Sequence, residues 1–148
     1  MLSLKSEIDT EGFAAVLAPV LCGGISVGLR GDLGAGKTTL VRYLVEALGG
    51  SSSHVASPSF ALQYEYITSD DLRVEHWDIY RLRDAPEDLR EPPDLRTLRL
   101  IEWPDKAPGL VEDLDLLIEI TLLDDGSREV RLSGRLSDRI KGSFSERI

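Results

Sequence analysis

The stretch Gly31-Asp32-Leu33-Gly34-Ala35-Gly36-Lys37-Thr38 decides the fold, because it fits the pattern G-x-x-x-x-G-K-S/T at every position. An apolar segment, residues 25–30, precedes it, and residues 39–48 follow with apolar side chains at helical spacing. Gly49 and Gly50 then offer a helix C-cap. The pattern predicts a buried strand, a phosphate-binding loop and a helix in succession. A chance Gly-rich turn before a core helix is the alternative, and the flanking strand and helix argue against it.

The residues of this loop have separate roles in binding a polyphosphate. Glycines let the backbone turn its N–H groups inward, where they and the positive end of the helix dipole hold phosphate oxygens. Lys37 is expected on a solvated part of the loop, from which its amine reaches the outer phosphates. The hydroxyl of Thr38 is expected to take one position on a magnesium ion.

Composition restricts the class of protein. The chain has 148 residues, 42% of them hydrophobic, and is expected to form a single domain over residues 1–148. It lacks an apolar run of about 20 residues and an N-terminal export signal, so we expect no membrane span and a cytoplasmic location. Its one cysteine, Cys22, excludes an internal disulfide and is predicted to be a small core residue. A formal net charge of -9 disfavours direct binding of nucleic acid.

The remaining segments predict an α/β fold. Periodicity predicts a helix over residues 6–22, with Ser6, Asp9 or Thr10 as N-cap and a last turn weakened by Pro19. Alternating patterns predict one hairpin over residues 61–68 and 72–80 and another over 116–123 and 128–133, with a short helix starting at Pro86 between them. The polar tail from Ser137 is predicted to be frayed. Together these elements predict a P-loop NTPase-like three-layer fold with a mixed parallel and antiparallel sheet.

Two acids stand where predicted strands end. Asp78 lies near the end of the second strand of the first hairpin, and Glu102 ends the apolar strand that begins at Leu98 and stops at Pro104. Sheets of this class place ligand-contacting groups at the carboxyl ends of their strands, and nucleotide hydrolases place a metal-directing acid there. Either acid could instead simply end a strand or cap the next segment, and His76 is expected to be structural. Ser59 follows Pro58 in a loop whose hydroxyl suits a phosphate, a metal or a simple turn.

Four segments together resemble one family, TsaE, also called YjeE. They are GDLGAGKTT at 31–39, SPSF at 57–60, HWDIYR at 76–81 and IEWP at 101–104. The resemblance spans nearly the whole chain and implies a bacterial Mg-dependent ATPase, weak by itself. Such a protein is required for threonylcarbamoylation of adenosine 37 in tRNAs that read ANN codons. The resemblance also implies TsaB and TsaD as partners, with tRNA reached through them.

The resemblance assigns roles residue by residue. The backbone of 32–39 and the amine of Lys37 would bind the phosphates of ATP, and Thr38 and Glu102 would hold Mg2+, with Asp78 as a second acid at the metal or the attacking water. Ser59 replaces the usual threonine of a switch loop, Thr10 matches a threonine near the nucleotide base, and Arg128 matches an arginine of the last hairpin. The nucleotide-binding residues are thus Thr10, Asp32, Leu33, Gly34, Ala35, Gly36, Lys37, Thr38, Thr39 and Arg128. Residues 90–95 depart from the family, which usually has a longer Gly-containing helical segment there.

Three other functions are compatible with the loop motif. A small-molecule kinase could use the arginines between Arg81 and Arg99 as a lid, although no acceptor-site motif accompanies Glu102. A GTPase is disfavoured because its base-selecting motif requires asparagine, which the chain lacks. A nucleotide-binding adaptor would show negligible turnover even with partners.

Overall fold

The computed structural model describes residues 1–32, 34–51, 55 and 63–145. Within these residues the strands are β1 (Leu2–Leu4), β2 (Ile25–Arg30), β3 (Gln63–Ile67), β4 (Arg73–Asp78), β5 (Thr97–Glu102), β6 (Leu116–Leu122) and β7 (Arg128–Ser133). The helices are α1 (Glu7–Leu17), α2 (Lys37–Ala47), α3 (Glu87–Arg90) and α4 (Ser137–Ser145), with short 3-10 helices at Pro104–Lys106 and Val111–Asp113.

The strands form one mixed sheet in the order β1-β7-β6-β2-β5-β4-β3. β2 lies parallel to β5 and β6, and β4 lies parallel to β5. The pairs β3–β4, β6–β7 and β1–β7 are antiparallel. The predicted α/β class with a mixed sheet is therefore confirmed. Because β2, β4 and β5 are parallel, their carboxyl ends meet at one edge of the sheet.

Apolar side chains cover both faces of the sheet, which gives three layers. The larger core lies on the face covered by α1, α2 and α4 and includes Phe13, Leu40, Leu100 and Ile140. A smaller cluster on the opposite face includes Trp77, Ile79, Leu89 and Ile101. Neighbours such as Leu100 and Ile101 enter different clusters because successive strand residues point to opposite faces.

The N-terminal region differs from its prediction in two respects. The helix predicted for residues 6–22 begins at Glu7, with Ser6 as N-cap, and ends at Leu17. Pro19 cannot supply the N–H that a further turn requires. Val20 and Leu21 are still buried, whereas Cys22 is exposed, so its predicted place in the core is wrong. Beyond the end of the helix, helical spacing no longer decides which side chains face the core.

Two terminal elements were not expected. β1 adds to β7, where Leu2 pairs with Val130. The tail predicted to be frayed forms α4, which packs on α1 through the fully buried Ile140. β1 has only three residues and α4 is mostly polar, and both pack against neighbours that are distant in sequence.

Candidate functional site

Two acids meet at the carboxyl edge of the parallel strands. Asp78 ends β4, Glu102 ends β5, and the two residues are register partners. Register partners point to the same face of a sheet, which for these two is the face covered by α2. Both are buried, Asp78 at 7% and Glu102 at 3% exposure. The structure thus brings together two acids that are 24 positions apart in the chain.

The phosphate-binding loop joins β2, next to β5, to the first turn of α2. Gly34 has φ +81 and Gly36 has φ +108, a conformation that favours glycine. Gly36 is the N-cap of α2, and its lack of a side chain leaves the first N–H groups of the helix without a side-chain cap. An uncapped helix N-terminus of this kind suits an anion.

Lys37 is the first residue of α2, and its predicted solvated position is wrong. The residue is only 5% exposed. Its amine donates to the carbonyl of Gly31 at 2.5 Å, and Nζ lies 3.6 Å from the centre of the Trp103 ring. Burial lowers the pKa of the Lys37 amine, and the negative charges of Glu102 and Asp78 oppose this shift.

Trp103 directly follows Glu102 at the end of β5 and contacts Lys37. Its backbone is left-handed, with φ 62 and ψ 46, although it precedes a proline. Its N–H donates to the carbonyl of Leu29 at 3.1 Å, and its ring centre lies 4.8 Å from that of Tyr80. The N–H of Tyr80 donates in turn to Oδ1 of Asp78 at 2.9 Å. Tyr80 of the segment HWDIYR thus contacts Trp103 of the segment IEWP, and Trp103 in turn contacts the Lys37 amine.

His76 contacts the acid at the end of β5. Its Nε2 atom lies 2.6 Å from Oε2 of Glu102, and the imidazole is fully buried. The sequence predicted only a structural histidine. The spacing of two residues between His76 and Asp78 places both side chains on one face of β4, which is the signal that could have indicated this contact.

Arg128, which the resemblance matches to an arginine of the last hairpin, contacts the loop. It begins β7, and its Nε donates to the carbonyl of Ala35 at 2.6 Å. Thr10 is buried in α1, where its hydroxyl donates to the carbonyl of Ser6 at 3.4 Å. This bond lies within the first turn of α1 and its N-cap, and it does not connect Thr10 to the loop.

The other predicted loop residues divide by exposure. Asp32 is exposed, Thr38 and Thr39 are half-buried, and the carbonyl of Asp32 accepts the N–H of Ala35 at 3.0 Å. Leu33 and Ser59 lie outside the described residues.

The donor set suits magnesium rather than a metal held wholly by protein ligands. Within the part of the chain that the structure describes, no three His, Cys, Asp or Glu side chains gather into a ligand set. Magnesium is commonly held by one or two carboxylates together with substrate phosphates and water. The hydroxyl of Thr38 and the carboxylates of Glu102 and Asp78 fit that arrangement.

Several arginines expected in a kinase lid are engaged elsewhere. Arg99 is buried, and its guanidinium donates to Oε1 of Glu75 at 3.0 Å and to the carbonyl of Glu91 at 2.6 Å. Arg90 pairs with Asp84 at 2.5 Å. The Arg99 bonds tie the segment after α3 to β5, and the Arg90 pair joins α3 to the loop before it, which weakens the lid interpretation.

A membrane span is not found among the helices of the described residues, none of which is both long and apolar enough.

Most of the chain matches known proteins in sequence and in structure. Residues 4–130 match the family described as TsaE, threonylcarbamoyl adenosine biosynthesis protein. A protein of Haemophilus influenzae named tRNA threonylcarbamoyladenosine biosynthesis protein TsaE is 38% identical over 128 residues, which cover 82% of this chain and 78% of the relative. The protein of that name from Aquifex aeolicus is 38% identical over 132 residues, covering 87% and 92%. The crystal structure of Bacillus subtilis YdiB superposes with a TM-score of 0.69 at 25% identity, covering 99% of this chain and 93% of that one.

Proposed function

This chain belongs to the TsaE family and acts in tRNA threonylcarbamoyladenosine biosynthesis, and we propose that it does so as a magnesium-dependent ATPase. The observation that supports this proposal best is the convergence of Lys37, Asp78 and Glu102 beside the N-terminus of α2. One amine, two acids and an uncapped helix end suit a bound triphosphate with its cation.

The phosphates are proposed to bind in the loop of residues 32–39. The buried amine of Lys37 is disfavoured in its charged form by desolvation, so a phosphate oxygen would give it a strong partner. Trp103 lies directly against this amine and limits access of water to it. Arg128 holds the Ala35 carbonyl and thereby supports the backbone that faces the phosphates.

The two acids are proposed to have different roles. When bound, magnesium supplies positive charge that neutralises phosphate oxygens, and Thr38, Glu102 and Asp78 are the residues that would hold it. Asp78 is the candidate to orient the attacking water, since the Tyr80 N–H fixes one of its oxygens. Ser59 is proposed to sense the terminal phosphate from the loop that contains it.

The net charge of -9 suits coupling to proteins rather than to RNA. We propose TsaB and TsaD as partners, with adenosine 37 of the tRNA reached through them. Weak turnover by the chain alone would then rise in their presence.

Measurement of ATP hydrolysis by the purified chain, with and without TsaB and TsaD, tests this function. We expect weak magnesium-dependent hydrolysis that the partners increase and that Glu102→Gln reduces chiefly by weakening magnesium-dependent binding. No hydrolysis in any mixture would contradict the proposal and favour an adaptor. Phosphate transfer to a compound in a metabolite panel would favour a kinase.

A further inference from the structure

The imidazole of His76 and the carboxylate of Glu102 form a buried pair next to the proposed magnesium site. Their Nε2 and Oε2 atoms lie 2.6 Å apart, and the two side chains are 0% and 3% exposed. A carboxylate in its ionised form only accepts hydrogen bonds, and with that form of Glu102 the hydrogen of the contact lies on Nε2. A bond to a charged acceptor is stronger than one between neutral groups and fixes the direction of the carboxylate more firmly.

The other side of the imidazole is also held. The hydroxyl of Tyr66, on the edge strand β3, lies 3.4 Å from Nδ1 of His76, and the two ring centres are 6.2 Å apart. Tyr66 is 7% exposed. Three adjacent strands thus contribute one side chain each to a row that ends at Glu102. A neutral imidazole with its hydrogen on Nε2 can accept the tyrosine hydroxyl at Nδ1, which makes the two contacts mutually consistent.

Asp78 has a different support. Although it is the register partner of Glu102, its Oδ1 atom accepts the N–H of Tyr80, which lies two residues beyond the end of β4. The contact with His76 therefore distinguishes Glu102 from Asp78. Loss of the imidazole should disturb the orientation of Glu102 and leave the bond between Asp78 and the Tyr80 N–H in place.

We propose that His76, backed by Tyr66, is a positioning residue that orients the Glu102 carboxylate toward the proposed magnesium ion. This inference rests on the proposed function, in which Glu102 is a metal-binding acid. Hydrogen-bond partners of metal-binding carboxylates commonly change metal affinity or activity by about 10- to 100-fold when they are removed.

Two substitutions separate positioning from simple packing. His76→Gln keeps an N–H donor near the place of Nε2, whereas His76→Leu fills the space without a donor. Val74→Ala is a matched control for lost packing, because Val74 is fully buried on the same face of β4 two residues earlier. Tyr66→Phe removes only a hydroxyl and provides a milder variant.

Calorimetric titration of the full chain with an ATP analogue, at varied magnesium and in EDTA, gives the first readout. We expect His76→Leu to raise the magnesium concentration for half-maximal effect by about 10- to 100-fold. Its binding in EDTA should stay within about twofold of the parent, because the phosphate-binding loop is untouched. For the magnesium concentration of half-maximal effect, His76→Gln should give a value close to that of the parent, and Tyr66→Phe a value between those of the parent and His76→Leu. Val74→Ala should match the parent. Equal losses in His76→Leu and His76→Gln, or no loss in His76→Leu, would overturn the positioning role.

A second readout needs neither metal nor nucleotide. The chain contains two histidines, so the imidazole N–H proton of His76 can be assigned by substitution and followed by NMR. In the metal-free parent this proton should resonate far downfield, and Glu102→Gln should move it upfield, because a charge-assisted bond becomes a neutral one. An unmoved resonance would overturn the inference. If nucleotide binding by the parent does not depend on magnesium, both the proposed function and the positioning role fail. If binding by the parent depends on magnesium and His76→Leu does not change that dependence, the positioning role alone fails.

Discussion

Gly36→Ala tests how closely β7 supports the phosphate-binding loop. Gly36 has φ +108, and a Cβ atom built there would lie 2.9 Å from Nε and 3.3 Å from Cδ of Arg128. That Nε donates to the carbonyl of Ala35 at 2.6 Å. Alanine would therefore strain its own backbone and also displace the side chain that makes this bond.

The size of the effect follows from these two terms. A non-glycine residue in such a backbone conformation costs about 1 to 3 kcal/mol. Loss of a hydrogen bond from a charged donor costs about 1.5 to 3 kcal/mol. For a domain of this length each kcal/mol lowers Tm by about 2 to 4 °C, so we expect Tm to fall by about 5 to 24 °C.

A double-mutant cycle in the nucleotide-free protein measures the two terms separately. Urea unfolding of Gly36→Ala, Arg128→Ala and the double variant should give a coupling of about 1.5 to 3 kcal/mol, because without Arg128 only the backbone strain remains. Gly34→Ala is the control, since Gly34 has φ +81 but nothing lies within 4 Å of its added Cβ. Additive effects in the cycle would refute the predicted contact between a side chain at position 36 and Arg128.

Three further predictions concern the proposed nucleotide site. Lys37→Met should abolish triphosphate binding in calorimetry yet be at least as stable as the parent at pH 7, because an apolar side chain avoids the desolvation of a buried charge. Burial lowers the pKa of Lys37 below 10.5, so between the lowered pKa and 10.5 the unfolded chain binds more protons than the folded one. In urea unfolding the parent should therefore gain stability relative to Lys37→Met as pH rises through this range. A difference in stability that does not change with pH would contradict this prediction. Asp78→Asn should reduce hydrolysis more than affinity, whereas Glu102→Gln should chiefly weaken magnesium-dependent binding, and equal losses in both would remove the division of roles. Ser59→Ala should bind ATP but hydrolyse it poorly with partners present, while Ser59→Thr should stay active; full activity of Ser59→Ala would exclude a switch.

Local patterns predicted most of the elements. The loop motif and its flanks located β2 and α2, period-two alternation located the two hairpins, and a stop at Pro104 located the end of β5. These features depend on residues close together in sequence, since backbone preference and side-chain spacing act within a few residues. Asp78 and Glu102 could be selected for the same reason, because each ends its own strand.

Tertiary structure alone decided which side chains meet. Parallel pairing of β4 with β5 sets Asp78 opposite Glu102 and brings His76 to the same carboxylate, and no spacing within one segment encodes that register. Lys37 is buried and contacts Trp103, which belongs to a different segment of the chain. The helix that begins at Ser137 depends in the same way on its packing against α1, far along the chain. Sequence determines the preferences of each segment, but the electrostatics of the site depend on distances that are fixed only when the segments pack together.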